Sequence, residues 1–378
     1  MAGQRSIDIA RLRLLAQGVH RPEPRSPLET VRHLVAMQGQ DLPGVLWSIG
    51  LRSPGITETG VKAAFDRGEI VRSWPMRGTL HVTTPADLRL ILPLSRSRLA
   101  TSLATRRSEL GITEADVAVA TEAALAALQV GPRVRKELFA VFESVGQTTS
   151  GQRGSHLIGA IAHAGLICLG PFSGREQAFV VLDQWAPPIG PPPDRDKAIA
   201  DLALRYFVSH GPATEADFAW WANLTLRDVR AAIGRVDRHL ARIPRNSTVY
   251  LADPALLGNS AAAPGPRDVH VLPGFDEHLL GYTDRSATLA AENSQAIVPG
   301  NNGVFRSSIV LGGRVAGTWS RRETASTIRI GVEPFWPLGT GHRAALERAL
   351  DRYGRFRGKR ILIDAPGTAD GTGASATL

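Results

Sequence analysis

Val130-Gly131-Pro132-Arg133-Val134-Arg135-Lys136-Glu137-Leu138 and His210-Gly211-Pro212-Ala213-Thr214-Glu215-Ala216-Asp217-Phe218 are two copies of one local design. In each, a helical stretch runs into Gly-Pro and another helical stretch follows. Glycine ends the first helix and proline, which cannot continue it, starts the next. Recurrence of this joint at separated positions points to a repeated unit rather than to one large domain.

The repeat organises the chain outward in both directions. Around the first copy, His156 to Ala164 reads as a short apolar helix. Gly165-Leu166-Ile167-Cys168-Leu169 and Ala178-Phe179-Val180-Val181-Leu182 read as a hairpin after it. Around the second, Trp220-Trp221 and Leu224 to Ile233 supply two helices, and Arg242 to Leu251 supplies strand and turn. The N-terminal third has the same plan. Ser26-Pro27-Leu28-Glu29 carries a capping hydroxyl, proline at the first helical position and a carboxylate at the third. Val31, Leu34 and Val35 follow at helical spacing. Further helices are predicted from about Pro43 and from Thr57 to about Arg67, then strands Glu69 to Ser73 and Thr79 to Thr83, then a helix capped by Thr84-Pro85-Ala86-Asp87. Helices followed by a hairpin make a winged helix, so the chain is read as α+β, with three tandem winged helices over residues 1–110, 111–185 and 194–264. Ala186-Pro187-Pro188-Ile189-Gly190-Pro191-Pro192-Pro193 is a stiff linker between the last two. From residue 265 to 365 the texture becomes β, with Val269 to Leu272, Phe305 to Leu311, Arg314 to Trp319 and Thr327 to Val332 as strands. Gly312-Gly313 is a hairpin turn and about Gly341 to Tyr353 a last helix, so a β-barrel-like region is expected there. Residues 366–378 are small and polar, and expected to be disordered.

With 378 residues the chain is too long for one small module. No apolar stretch approaches the roughly 18 residues that cross a bilayer, and Met1 to Asp8 lacks the apolar core of a signal peptide. A cytoplasmic protein with no membrane partner is expected. Cys168 stands alone, which excludes internal disulfides, cysteine-based zinc sites and iron–sulfur clusters. The formal charge is +9, and 16 basic against 9 acidic side chains lie in residues 1–110. An anionic partner would be drawn to that third.

Hydrolase signatures GxxxxGK[ST], HExxH and GxSxG are absent. His156 and His163 lie on one predicted helix without further ligands, so no metal is expected. Asp276 and Glu277, read as neighbours on a strand, would point to opposite faces and are read as structural. The unusual feature is Gln38-Gly39-Gln40. Gln38 follows Val31 by seven residues and Leu34 by four, so it extends the buried face of its helix. A buried amide without partners costs roughly 1 to 3 kcal/mol, so something must satisfy it. Gly39 loosens the helix end and lets Gln40 turn toward the same space. Two readings stand: the amides tie a helix end to neighbouring backbone, or they face a reacting group.

Four segments in order bear on that choice: Gln38-Gly39-Gln40, Trp74-Pro75-Met76-Arg77-Gly78-Thr79-Leu80-His81, Leu272 to Arg285, and Gly313-Arg314-Val315-Ala316-Gly317-Thr318-Trp319. Together they resemble the AlkZ-type tandem winged-helix DNA glycosylases over essentially residues 5–365. The resemblance implies a C-shaped protein with double-stranded DNA in its channel, acting as a monomer without cofactor or metal. It also implies a catalytic Gln-x-Gln with an aliphatic middle residue. Gln38 and Gln40 fit, while Gly39 departs from the pattern. His81, Arg77 and Arg285 become candidate DNA contacts. His81 reads equally as a core histidine, the two arginines as structural ion pairs, and Trp74 as packing.

An amide has no useful basicity near neutral pH, so neither glutamine is a conventional base. Guanine alkylated at N7 already carries positive charge and leaves readily. What remains is to place water on the far face of the sugar and surround C1′ with oxygen dipoles, aided by the negative end of the helix the glutamines are expected to terminate. The implied function is a monofunctional DNA glycosylase for bulky N7-alkylguanine, extending to interstrand crosslinks and self-resistance. The alternative is a non-catalytic winged-helix DNA-binding regulator.

Overall fold

The computed structural model describes residues 8–191 and 193–364. Pro192 of the linker and the C-terminal tail, expected from the sequence to be disordered, lie outside the described residues.

Ser26 starts the first fold decision. Its hydroxyl accepts from the Glu29 N–H at 3.2 Å and the Glu29 carboxylate accepts from the Ser26 N–H at 2.8 Å. These two bonds satisfy donors left open at the start of helix Pro27–Leu34. The helix then stops earlier than its apolar spacing predicts. Strand β1 (Ala36–Gln38) begins two residues on and pairs antiparallel with β3 (Thr79–Thr83), which forms a hairpin with β2 (Val71–Met76). Helices Leu42–Arg52 and Glu58–Asp66 fall where expected, the second capped by the Thr57 hydroxyl. Thr84 caps a helix that runs on to Glu109 despite Pro93.

The second hairpin, β4 (Ile167–Ser173) and β5 (Glu176–Val181), does not stand apart from the first. Arg72 on β2 pairs with Leu169 on β4, giving one five-stranded sheet in the order β1-β3-β2-β4-β5. The hairpin of β6 (Ala241–Arg245) and β7 (Thr248–Ala252) forms its own two-stranded sheet, after helices Arg195–His210, Glu215–Trp221 and Leu226–Val236.

Beyond residue 265, β8 (Val269–Leu272), β9 (Ser308–Leu311), β10 (Arg314–Glu323) and β11 (Thr327–Pro334) form an antiparallel meander. Strand β12 (Arg360–Ile363) adds parallel to β11, with helix Thr340–Arg357 as the crossover. The sheet curls as a half-barrel with β8 and β12 at opposite edges. Gly312 and Gly313, both at positive φ, make the β9–β10 turn. A Cβ on Gly313 would sit 2.8 Å from the Ala10 carbonyl carbon, so glycine also permits the N-terminal helix Ile9–Ala16 to pack there.

One core joins the two ends of the chain. Leu34, Val45, Trp47 and Ile49 pack with Val271, Trp319, Tyr353 and Phe356. The indole N–H groups buried with them are satisfied, Trp47 donating to the Val271 carbonyl at 2.9 Å and Trp319 to that of Leu272 at 2.8 Å. Among the described residues no helix is long and apolar enough to cross a membrane.

Candidate functional site

Val35 decides where Gln38 points. It has φ 67° and ψ −57°, the geometry of a γ-turn that a β-branched residue enters only at a cost of order 1–3 kcal/mol. Thr83 holds the turn by donating its hydroxyl to the Val35 carbonyl at 2.8 Å. The turn converts helix to strand, so Gln38 does not continue a helical face. It sits at the end of β1, opposite His81 on β3. The helix-dipole expectation fails with it. Helix Pro27–Leu34 ends before the motif, and Gln40 instead precedes the N-terminus of helix Leu42–Arg52, whose end is positive.

The three motif residues are fixed along β3 and β2. Gly39 donates its N–H to the Leu80 carbonyl at 2.7 Å. The buried Gln38 side-chain carbonyl accepts from the Thr79 hydroxyl at 3.3 Å, and the carbonyl of the exposed Gln40 side chain accepts from the Leu80 N–H at 3.4 Å. Each amide oxygen keeps a second lone pair, and neither amide nitrogen is hydrogen-bonded among the described residues. Arg72 braces the turn from below. Its Nε donates to the Gly39 carbonyl at 2.7 Å and a terminal nitrogen donates to Gln177 on β5 at 3.2 Å. A Cβ at position 39 would lie 3.3 Å from the Val82 nitrogen and 3.4 Å from Arg72 Nε, so the glycine keeps this arrangement free of crowding.

A buried carboxylate closes the back of the site. Glu277 Oε1 accepts from the Gln38 N–H at 2.8 Å, while Oε2 accepts from the Trp221 indole at 3.1 Å and lies 3.4 Å from His210 Nε2. Burial opposes its ionisation. Contact with His210, then the charge of Arg77 and the Gln38 N–H, outweigh that and hold the carboxyl below its ordinary value. Glu277 is not on a strand, as the sequence reading had it. Asp276 is the N-cap of the short helix Glu277–Leu280 and is gripped by Arg52 through two bonds of 2.9 Å, with the Ser48 hydroxyl at 2.7 Å. Burial works against this carboxylate too, but Arg52 pushes it down to about 2. Asp276 therefore locks the segment that carries Glu277 beneath Gln38.

The other candidates are placed as follows. His81 is fully buried and donates Nδ1–H to the Thr79 carbonyl at 2.9 Å. Its Nε2 therefore accepts, at 3.0 Å, from Arg77. Burial, then the Arg77 charge, pushes it down to about 3, so it is neutral. Arg77 also donates to the Trp221 carbonyl at 3.1 Å and stacks on Trp220 with 4.4 Å to the ring centroid. Arg285 donates to the Leu279 carbonyl at 2.8 Å and approaches the same indole at 5.6 Å. Neither arginine pairs with Asp284. They frame Trp220 instead, each with guanidinium N–H groups left over. Trp74 packs parallel to Phe179 at 6.5 Å. Cys168 is buried, which pushes its thiol up to about 12.

Strand β3, the Gln38–Gln40 turn and Glu277 thus converge, and Arg77 and Arg285 converge on Trp220. Sequence reasoning missed Arg72, His210 and Trp221 as parts of the site. No spacing signal links residues so far apart in the chain.

Comparison with known proteins gives a consistent result. A family model described as "DNA glycosylase AlkZ-like" matches residues 31–356. An interstrand DNA cross-link repair glycosylase from Streptomyces sahachiroi is 25% identical over 313 residues, covering 79% of this chain and 83% of that protein. The solved structure of Streptomyces sahachiroi DNA glycosylase AlkZ superposes with a TM-score of 0.77 at 22% identity, covering 94% of this chain and 98% of that one.

Proposed function

The chain belongs to the AlkZ-like DNA glycosylases, and from that premise we propose that it hydrolyses the N-glycosidic bond of bulky N7-alkylguanine in double-stranded DNA, including interstrand crosslinks. The observation that carries this reading is the pair of amides, Gln38 and Gln40, set on β3 with an ionised carboxylate bonded behind the first. In this reading the residues act as three tandem winged helices with the half-barrel appended.

The lesion supplies its own activation. A guanine alkylated at N7 is cationic, so breaking the bond from C1′ to N9 returns the electron pair to the ring and neutralises it. Positive charge then develops on C1′ and the ring oxygen. The free lone pairs of the Gln38 and Gln40 carbonyls face that charge and accept the hydrogens of an incoming water, aligning its oxygen with C1′. Water forms the new bond and releases its proton to solvent. Glu277 contributes through Gln38. Its charge stabilises a neighbouring cation in a low-dielectric setting, in place of a helix end, since helix Pro27–Leu34 stops short of the motif. Arg77 and Arg285 contact phosphates beside Trp220 with their remaining N–H groups. Neutral undamaged purines lack the leaving-group charge and are spared by so mild a catalyst.

The deciding experiment is single-turnover release of N7-alkylguanine from a duplex by wild type, Gln38→Ala and Gln40→Ala. Release of free base with wild type, slowed in both variants, supports the proposal. Duplex binding without any base release would favour the non-catalytic regulator.

A further inference from the structure

Helix Leu42–Arg52 has Gln40 near its N-terminal end and a cavity at the other, roughly 16 Å away by helical rise. The cavity, about 260 Å³, lies between the Val19 to Pro22 turn, β8 and helix Thr340–Arg357. Four arginines line it: Arg21, Arg267, Arg348 and Arg352. Asp268 is the single carboxylate, and its Oδ2 is turned to the Gly265 N–H at 2.6 Å.

The cationic groups are short of partners. Among the described residues Arg21, Arg267 and Arg348 form no ion pair, and Arg352 gives its terminal nitrogen to the Leu51 carbonyl. Four like charges facing one concave space repel one another and focus a positive potential there. Arg21 is held at φ 48°, a conformation uncommon outside glycine and asparagine. Two histidines of the wall, His20 and His270, pair with each other. His20 Nδ1 and His270 Nε2 lie 3.4 Å apart, while Nδ1 of His270, a residue only 7% exposed, has no partner. Burial first, and then the histidine and arginine charges around it, pushes His270 down to about 3. An oxyanion in the cavity offsets that repulsion and accepts from guanidinium N–H groups that no carboxylate pairs. Guanidinium groups match phosphoryl oxygens in geometry as well as charge.

We propose that this cavity binds a tetrahedral phosphoryl group through Arg21, Arg267, Arg348 and Arg352, at a site distinct from the Gln38 region. The group has two sources, a phosphate of the DNA strand or a free small phosphate, and both carry the same recognition chemistry.

The test titrates inorganic phosphate into the full chain by calorimetry, with sodium chloride at matched ionic strength as reference. Saturable binding is expected in wild type. It should weaken at least 10-fold in Arg267→Glu/Arg348→Glu, whose altered side chains are exposed and leave the core intact. Arg267→Gln/Arg348→Gln, which removes charge without reversing it, should show an intermediate loss. Duplex binding separates the sources. If the group belongs to DNA, the charge-reversed variant loses about one to two units of log–log salt slope. If it is a free phosphate, duplex affinity and slope are unchanged while phosphate binding is still lost. Phosphate heats equal to those of chloride, or equal in wild type and the charge-reversed variant, would overturn the proposal.

Discussion

The backbone N–H of Gln38 donates to Glu277 Oε1 at 2.8 Å, across a sequence separation of 239 residues. This bond ties the first amide of the motif to a buried charge at the other end of the chain, and it sets the first prediction. Glu277→Gln keeps the shape and removes the charge, and its single amide oxygen can still accept from the Gln38 N–H while the bond from the Trp221 indole is lost. It should slow base release about 10-fold, equivalent to about 1.4 kcal/mol of transition-state stabilisation. Duplex affinity should be unchanged, because the carboxylate is buried. Single-turnover excision beside duplex titration checks both, and an unaltered rate would remove the charge from the mechanism.

The two glutamines should separate in stability while agreeing in rate. Gln38→Ala and Gln40→Ala should each slow base release by roughly 10- to 1,000-fold. Gln40 is exposed, so its variant should melt as wild type does; Gln38 is buried, and its variant should lose about 1 kcal/mol. Full activity in a stable Gln40→Ala protein would dismiss that amide.

Base release should be insensitive to pH from about 6 to about 9, as the amides, Glu277 and His81 do not change charge there. Amides carry no titrating proton, Glu277 is held below its ordinary value, and His81 is pushed down to about 3. A rate limb near the ordinary histidine value would assign the chemistry to a histidine.

Stability, in contrast, should fall early in acid. His81 and His270 are pushed to about 3 and His278 to about 4, burial being the first cause in each. Below about pH 6.5 the unfolded chain takes up protons that the folded chain refuses, so stability present above that pH is lost progressively toward pH 3. Asp276, held at about 2 by Arg52, adds on the order of 2 kcal/mol that is lost between about pH 4 and pH 2. Urea midpoints measured from pH 8 to pH 4 should decline from about pH 6.5 downward. A midpoint level to pH 4.5 would mean that these histidines are charged in the folded protein.

Affinity for undamaged duplex should fall steeply with salt, with a log–log slope of roughly −0.9 for each phosphate neutralised. The 16 basic side chains of residues 1–110 motivate this expectation. A slope near zero would end the nucleic-acid reading.

Much of the local structure was legible in the residues alone. The Ser26 capping box, the Thr84 cap, the helix starting at Thr57 and the Gly312-Gly313 turn depend on chemistry within a few residues, which any context preserves. The Gln38-Gly39-Gln40 motif was equally visible, because a polar pair amid Val31, Leu34 and Val35 stands out. Its setting was not. Val31, Leu34 and Gln38 satisfy a helical spacing that a short strand after a strained Val35 also accommodates, and Thr83, distant in sequence, holds that turn. Nor could Arg72 be foreseen joining two hairpins into one sheet, or Glu277 ionised beneath Gln38. Hydrogen bonds to buried groups are strong only where water has been excluded, and the exclusion is made by the packed chain as a whole. Residue order sets which groups can cap, turn and carry the chemistry. Packing of the whole chain sets which of them meet, and with what charge.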